Sequence, residues 1–434
     1  MNRVFVLSRT KVPLMPCHPA RARKLLRDGK AAVYRRQPFT IILKNREGGD
    51  SQPVEFKTDP GSRTTGIALV GEFEQQGNVV LWGANLEHRG LSVKSAMTDR
   101  RMFRTGRRGR KTRYRPARFN NRARPKGWLP PSLRSRVDNV ATWYERLIFS
   151  APVSHAAIET VRFDMQLMTN PNIQGAEYQQ GELAGYELRN YVMDRGNHKC
   201  AYCGAKGVPL EIEHVVPRSS RGSNRVSNLV PSCKPCNQRK GSQPVEVFLK
   251  KKPDVLKRIK AQMKIPLHDA AAVNATRYAI GDALKEWGLP VTFWSGGRTK
   301  WNRTNQGYEK DHWIDAACVG ASGVEVEIPE GARLNIKATG RGNRRVHGND
   351  KFGFPTGAAR SAKRVQGFQT GDIVRLDCPK GKFAGIHIGR VCWLHIPNQL
   401  VNIKTPNGIA GRKPHEFTSL QRADGYEYTT ATTD

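Results

Sequence analysis

The sequence predicts an α/β protein of several domains, and three observations lead there. Its 434 residues are more than one hydrophobic core usually organises. β-rich and helical runs alternate along the chain instead of segregating. A cysteine-rich module and a strongly basic stretch interrupt that alternation. Lys and Arg number 73 against 37 Asp and Glu, a net charge of +36. A charge of this size speaks of a polyanionic partner and argues against an ordinary metabolic enzyme. No apolar run reaches the ~18 residues of a membrane span, and the Val4–Leu7 stretch is too short for a secretory signal. A cytoplasmic protein with no membrane partner is expected.

Residues 1–52 read as a small α/β unit: a strand at Val4–Leu7, a proline-punctuated loop from Pro13 to Pro16, and a helix opened by Pro19 and running to about Arg27. Gly29 suits the helix stop. A strand pair follows at Ala31–Arg35 and 39–44. Residues 53–94 begin as a β-meander of three runs, 54–59, 64–71 and 78–88, with connections short enough for antiparallel neighbours. In residues 95–125 the span from Arg100 to Arg124 holds eleven Arg, one Lys and no acid. Such self-repulsion needs a counter-charge, so the segment is either a disordered arm or an arginine-rich helix that orders on phosphate. We read it as the helix, with Arg100, Arg101, Arg104, Arg107, Arg108, Arg110, Arg113, Arg115 and Arg118 on nucleic acid. Residues 126–193 carry a helix (132–149), a strand (155–159) and a second helix (181–194). Residues 194–245 hold the cysteine module. Residues 246–324 are mostly helical, with a strand at Val291–Trp294. Residues 325–434 are rich in Gly and β-formers and suggest a small barrel or curled sheet, with Phe352, Phe354, Phe368, Phe383 and Trp393 in its core. Within it Arg344, Arg345, Lys380 and Lys382 are candidates to meet nucleic acid by charge.

The sharpest chemical signal is Cys200-x-x-Cys203 followed by Cys233-x-x-Cys236. Each two-residue spacer lets one tight turn offer two sulfurs, and four thiolates satisfy a tetrahedral zinc with no open position. The zinc is therefore read as structural. Cys17, Cys318, Cys378 and Cys392 have no evident partners and read as small buried or incidental thiols. Between the cysteine pairs lie Glu211, Glu213 and His214 on a β-rich run, then Asn228; Asn237 follows the second pair. This set resembles the HNH nuclease family. The resemblance makes His214 the general base, Glu213 and Asn237 the ligands of a catalytic magnesium or manganese, and Asn228 the residue that holds the loop behind His214. Glu213 stands where many members have Asp.

A second constellation is dispersed. Asp59 ends the 54–59 strand, Glu159 ends the 155–159 strand, and His312 and Asp315 share one face of a late helix. Carboxylates from two strands and a helix are what a two-metal phosphodiesterase uses to hold two cations about 4 Å apart. Their order resembles the RuvC nuclease, of RNase H-like fold, split here by the arginine-rich and cysteine-rich insertions. The whole arrangement resembles the IscB family, transposon-encoded relatives of type II CRISPR effector nucleases. Pro13-Leu14-Met15-Pro16 matches that family's PLMP domain, residues 95–125 its bridge helix, and residues 325–434 the place of its target-adjacent-motif domain. The resemblance implies an RNA-guided double-strand DNA endonuclease: a guide noncoding RNA, duplex target DNA, magnesium or manganese at both nuclease sites, and a monomer inside a prokaryotic ribonucleoprotein that joins the nucleoid when on DNA. The HNH module would cut the guide-paired strand and the RuvC-like site the displaced one. Two other readings stand beside it: a protein-guided homing-type HNH endonuclease, and a nuclease-dead RNA- or DNA-binding protein.

Overall fold

The computed structural model describes residues 3–109, 127–160, 195–220, 225–263, 268–331, 333–340, 348–351, 354–357 and 364–431, with isolated positions between them. The chain divides into two units, residues 1–160 with 278–434, and residues 161–277.

The first unit opens with β1 (Val4–Leu7), β2 (Pro13–Cys17), α1 (Pro19–Arg27), β3 (Ala31–Arg35) and β4 (Thr40–Leu43), in a sheet of order β2-β1-β4-β3. The expected loop at 13–16 is instead a strand. Its two prolines cannot donate to a ladder, but β2 is an edge strand paired only to β1, where missing donors are tolerated. Helix α1 starts at Pro19 as expected, and Gly29 takes φ +67° just beyond its end.

β5 (Val54–Asp59), β6 (Thr64–Phe73) and β7 (Gly77–Glu87) form the expected antiparallel meander. Helix α2 (Gly90–Gly109) begins before the basic run and carries Arg100, Arg101, Arg104 and Arg108 exposed. The basic pattern predicts that this helix continues to 125; residues 110–124, with Arg110, Arg113, Arg115 and Arg118, lie outside the described residues, as does the side chain of Arg107. α3 (Pro131–Ile148) and β8 (Val153–Glu159) follow. The helix expected at 181–194 falls almost wholly outside the described residues. The second unit holds β9 (Leu210–His214), β10 (Leu229–Cys233), α4 (Lys234–Lys240), α5 (Val245–Phe248) and α6 (Pro253–Met263). After α7 (His268–Lys285) come β11 (Val291–Trp294), α8 (Gly296–Asn305), α9 (His312–Ala317), β12 (Val326–Glu327), β13 (Arg333–Ala338), β14 (Gly348–Asn349), β15 (Pro355–Thr356), β16 (Ile373–Cys378), β17 (Gly385–His395), β18 (Leu400–Thr405), β19 (Gly408–Arg412), β20 (Phe417–Gln421) and β21 (Tyr426–Ala431).

The central sheet runs β11-β8-β5-β6-β7-β13-β21, with β12 also on β7. β5, β8 and β11 are mutually parallel neighbours, so their C-terminal ends lie at one edge of the sheet. On one face α3 lays down Val137, Val140, Tyr144 and Leu147, at the three- and four-residue steps of a helix stripe, against Phe56, Ile67 and Leu69. Trp143 stacks on Trp82 with ring centroids 5.9 Å apart. A separate cluster joins Trp313, Ile314, Ala316 and Ala317 of α9 to Ala68, Val70 and Val80.

The 325–434 segment is not one independent sheet. β12, β13 and β21 extend the central sheet, β14 and β15 pair with each other, and β16 to β20 make a five-stranded antiparallel sheet, β19-β18-β17-β16-β20, with its own core of Val374, Leu376, Val391, Val401 and Ile403. Phe368 and Phe383 pack on that core as expected, but Trp393 is 43% exposed. Phe352, Arg344 and Arg345 lie outside the described residues. Of the four remaining thiols Cys318 and Cys378 are buried, Cys17 is half-buried and Cys392 is exposed.

Candidate active site

The first site is built at the C-terminal edge of the parallel strands. Asp59 is the last residue of β5 and Glu159 the last of β8, its neighbour. In open α/β sheets this edge is where ligands bind. The third carboxylate needs α9 fixed against the sheet, and both ends of that short helix are tied down. At its N-terminal end Asn85 on β7 donates to Asp311 Oδ1 (2.8 Å) and accepts from the Trp313 amide (3.0 Å), while Arg333 pairs with Asp311. At its C-terminal end the wholly buried Lys57 donates to the carbonyls of Ala317 (3.1 Å) and Val319 (2.7 Å). Asn302 of α8 donates to Cys318 O (2.8 Å) and Gly320 O (3.2 Å). A cation at a helix C-terminus answers both the orphan carbonyls and the dipole. Gly66 on β6 lets the strand run directly under the helix, since a Cβ there would strike the His312 carbonyl.

His312 and Asp315 therefore face Asp59 and Glu159. His312 Nδ1 lies 4.0 Å from Asp59 Oδ2. Glu159 and Asp315 are buried, and Arg303 Nε sits 2.6 Å from Asp315 Oδ1. Burial, then the charge of Asp59, pushes the Asp315 carboxyl up to about 6, with Arg303 pulling the other way. Burial and the charge of Asp59 likewise raise Glu159 well above the usual carboxylate range. Burial opposes a charged His312, but the Asp59 carboxylate, with help from Asp315, outweighs it and raises the imidazole. Burial first, and the mutual repulsion of the carboxylates second, disfavour their charged forms, and a donor set of this kind suits divalent metal. The three carboxylates do not close within 4.8 Å of one another.

The second site lies on the β9–β10 hairpin and α4 of the other unit. The sulfurs of Cys200, Cys203, Cys233 and Cys236 all lie within 4.8 Å of one another, and Cys203 and Cys233 are 3.7 Å apart. Four sulfurs at about 2.3 Å around one zinc stand about 3.8 Å apart, so the set fits. The first pair rides on a tight turn in which Gly204, φ +81°, returns its amide to Cys200 O (2.9 Å); Cys233 caps α4. Burial and the neighbouring sulfurs push the Cys236 thiol up to about 12, a repulsion that a bound dication relieves.

His214 ends β9. Asn228 grips the turn behind it twice: its Oδ1 accepts from Val216 N (2.8 Å) and its Nδ2 donates to Val216 O (3.0 Å). The Asn228 carbonyl also accepts from Val215 N (2.8 Å). Such a clamp is compatible with the loop-holding role expected of it. The metal pair is arranged differently from the expectation. Glu213 Oε1 pairs with Lys240 Nζ at 2.7 Å, and Lys240, wholly buried, also donates to His214 O (2.8 Å). Asn237 donates to Glu211 Oε2 (2.7 Å), so Glu211 and not Glu213 is its partner. Side chains alternate along a strand, which sets Glu211 and Glu213 on the face of β9 toward α4 and His214 on the other. The sequence assigns no role to Lys240, Glu211, Arg303 or Lys57. Their roles lie in partners distant along the chain, which only the tertiary structure pairs.

The family model described as HNH endonuclease matches residues 200–243, and the one described as RRXRR protein matches residues 4–181. The CRISPR-associated endonuclease Cas9 of Corynebacterium diphtheriae is 40% identical over 78 residues, 16% of this chain and 7% of the relative. Among solved structures, Streptococcus thermophilus Cas9 in complex with the GGAA PAM covers 60% of this chain and 32% of its own, at 13% identity and TM-score 0.21. The Type II-C Cas9 of Actinomyces naeslundii covers 47% and 28%, at 17% identity and TM-score 0.16. The chain thus spans about a third or less of the length of the solved relatives and a small fraction of the curated one. No helix among the described residues is long and apolar enough to cross a membrane. The family model makes residues 200–243 similar to an HNH endonuclease module, and the curated relative is similar over 78 residues.

Proposed function

We propose that the protein is an RNA-guided double-strand DNA endonuclease of the IscB kind, with an HNH site that cuts the guide-paired strand and a RuvC-like site that cuts the displaced one. The observation that carries this reading is that Asp59, Glu159 and Asp315, about 250 residues apart at their extremes, meet at one edge of one sheet beside His312. A buried carboxylate set only partly balanced by Arg303 and His312, in a chain that also carries an HNH module, supports two nuclease centres. Asp59, Glu159 and Asp315 hold magnesium or manganese, which when bound polarises the scissile phosphate. In the HNH module the resemblance makes His214 the base for the attacking water, held by the Asn228 clamp, and Asn237 and Glu213 the residues that would hold the metal on exchanging their present partners, Glu211 and Lys240. The zinc is structural. The +36 charge and the exposed arginines of α2 suit a guide RNA, and base pairing then reads the target sequence in place of side chains. The protein works as a monomer within the ribonucleoprotein, in the prokaryotic cytoplasm and on the nucleoid.

The test is strand-resolved cleavage of a supercoiled plasmid with guide RNA and magnesium. Asp59→Ala leaves a nick in the guide-paired strand only, His214→Ala a nick in the other strand only, and the double variant binds without cutting. Loss of either group costs several powers of ten, at about 1.4 kcal/mol each. Wild-type linearisation by Asp59→Ala removes the RuvC-like assignment. Cutting of duplex with no RNA present favours a protein-guided enzyme.

A further inference from the structure

At the opposite end of β5 from Asp59, three metal-binding side chains converge that the nuclease chemistry does not use. Glu55 on β5 is opposite His155 on β8, and Glu72 on β6 reaches the same point. Their ligand atoms lie within 4.8 Å of one another. We propose that Glu55, Glu72 and His155 form a second zinc-type metal site, three protein ligands with a position open to water.

Each ligand atom is prepared for this. Glu55 is split between two tasks. Its Oε2 receives Lys57 Nζ (3.4 Å) and the Ser322 hydroxyl, while its Oε1, on a side chain only 6% exposed, has no hydrogen-bond donor among the described residues. His155 Nε2 lies 3.7 Å from Oε1, and Glu72 Oε1 is 3.3 Å from the same nitrogen. A distance of 3.7 Å is not a hydrogen bond. Ligands about 2.0–2.1 Å from one tetrahedral zinc stand about 3.3 Å apart, which is close to the spacing found.

Ser154 Oγ lies 3.4 Å from Val54 O and 2.9 Å from His155 Nδ1. With Ser154 donating to Val54 O, Nδ1 carries the ring hydrogen and Ser154 accepts it. In that tautomer Nε2 presents a lone pair toward two carboxylate oxygens, three acceptors that a cation at their centre satisfies. A partner on the far nitrogen is the usual second support of a ligating histidine. His155 and Glu72 are partly exposed, which leaves a path for the ion and a place for water.

The full chain is tested by elemental analysis after saturation with zinc in excess magnesium, which occupies the nuclease centres, and gel filtration. The expected content is two equivalents in the wild type and one in each of His155→Gln, Glu72→Gln and Cys203→Ser, with none in Cys203→Ser combined with His155→Gln. Glu72 is a third exposed, so its variant folds even if His155→Gln does not. Added zinc should raise the Tm of the Cys203→Ser protein and leave that of the double variant unchanged. One equivalent in the saturated wild type, or two retained in Glu72→Gln, overturns the site.

Discussion

Lys240 Nζ lies 2.7 Å from Glu213 Oε1 and 2.8 Å from the carbonyl of His214, and the lysine side chain is wholly buried. One ammonium thus fixes both the acid and the backbone of the proposed base. Lys240→Met leaves Glu213 charged and buried, a change that destabilises by about 3–5 kcal/mol. Thermal melts of the zinc-loaded protein should show the β9–β10 module unfolding first. Adding Glu213→Gln should recover most of the loss, and a double variant as unstable as Lys240→Met would show that packing, not charge, sets the effect.

Zinc removal should act on the second unit alone. Cys203→Ser or a chelator withdraws the ion that holds two chain segments 30 residues apart, and structural zinc carries folding energy outright. Proteolysis should then cut within 198–241. The Trp82–Trp143 pair belongs to the other unit, so its near-ultraviolet signal should persist.

The exposed arginines of α2 predict a salt-linked affinity for nucleic acid. Arg104 and Arg108 are four apart, hence on one helix face. Changing both to Ala should reduce the slope of log affinity against log salt by about 0.7–0.9 for each phosphate that is no longer neutralised. Filter binding across salt concentrations measures it, and an unchanged slope places both side chains in solvent.

His88 predicts an acid-sensitive core. Burial, then the charge of Arg136, holds its imidazole down at about 3 against an ordinary 6.5, and Thr65 Oγ1 binds its Nε2 at 2.7 Å. The folded state therefore refuses a proton that the unfolded chain accepts. Above pH 6.5 nothing is lost; from 6.5 down to about 3 stability should fall by up to about 1.4 kcal/mol per pH unit. Denaturant melts of wild type and His88→Gln between about pH 4.5 and 7.5 test this, the variant showing a flatter profile.

Local patterns carried much of this protein. The strands at Val4–Leu7, Ala31–Arg35, Val54–Asp59 and Val291–Trp294 were legible because each is a short β-rich run bounded by turn residues. The cysteine pairs were legible because a thiolate spacing is itself a geometry. The loop expected at 13–16 became an edge strand because β1 lay beside it, and β13 and β21 left their own segment for the central sheet.

The sequence by itself determined which residue types were available: the four cysteines, His214 with its asparagines, the separated acids and the basic helix. Only the tertiary structure decided which of them meet. Asp315 reaches Asp59 because Asn85 and Lys57, distant in the chain, clamp the two ends of α9, and Asn237 meets Glu211 rather than Glu213 because Lys240 is buried against the latter. The physical reason is that pairing across a sheet and capping of a helix by a remote side chain depend on non-local interactions, whose partners no local pattern names.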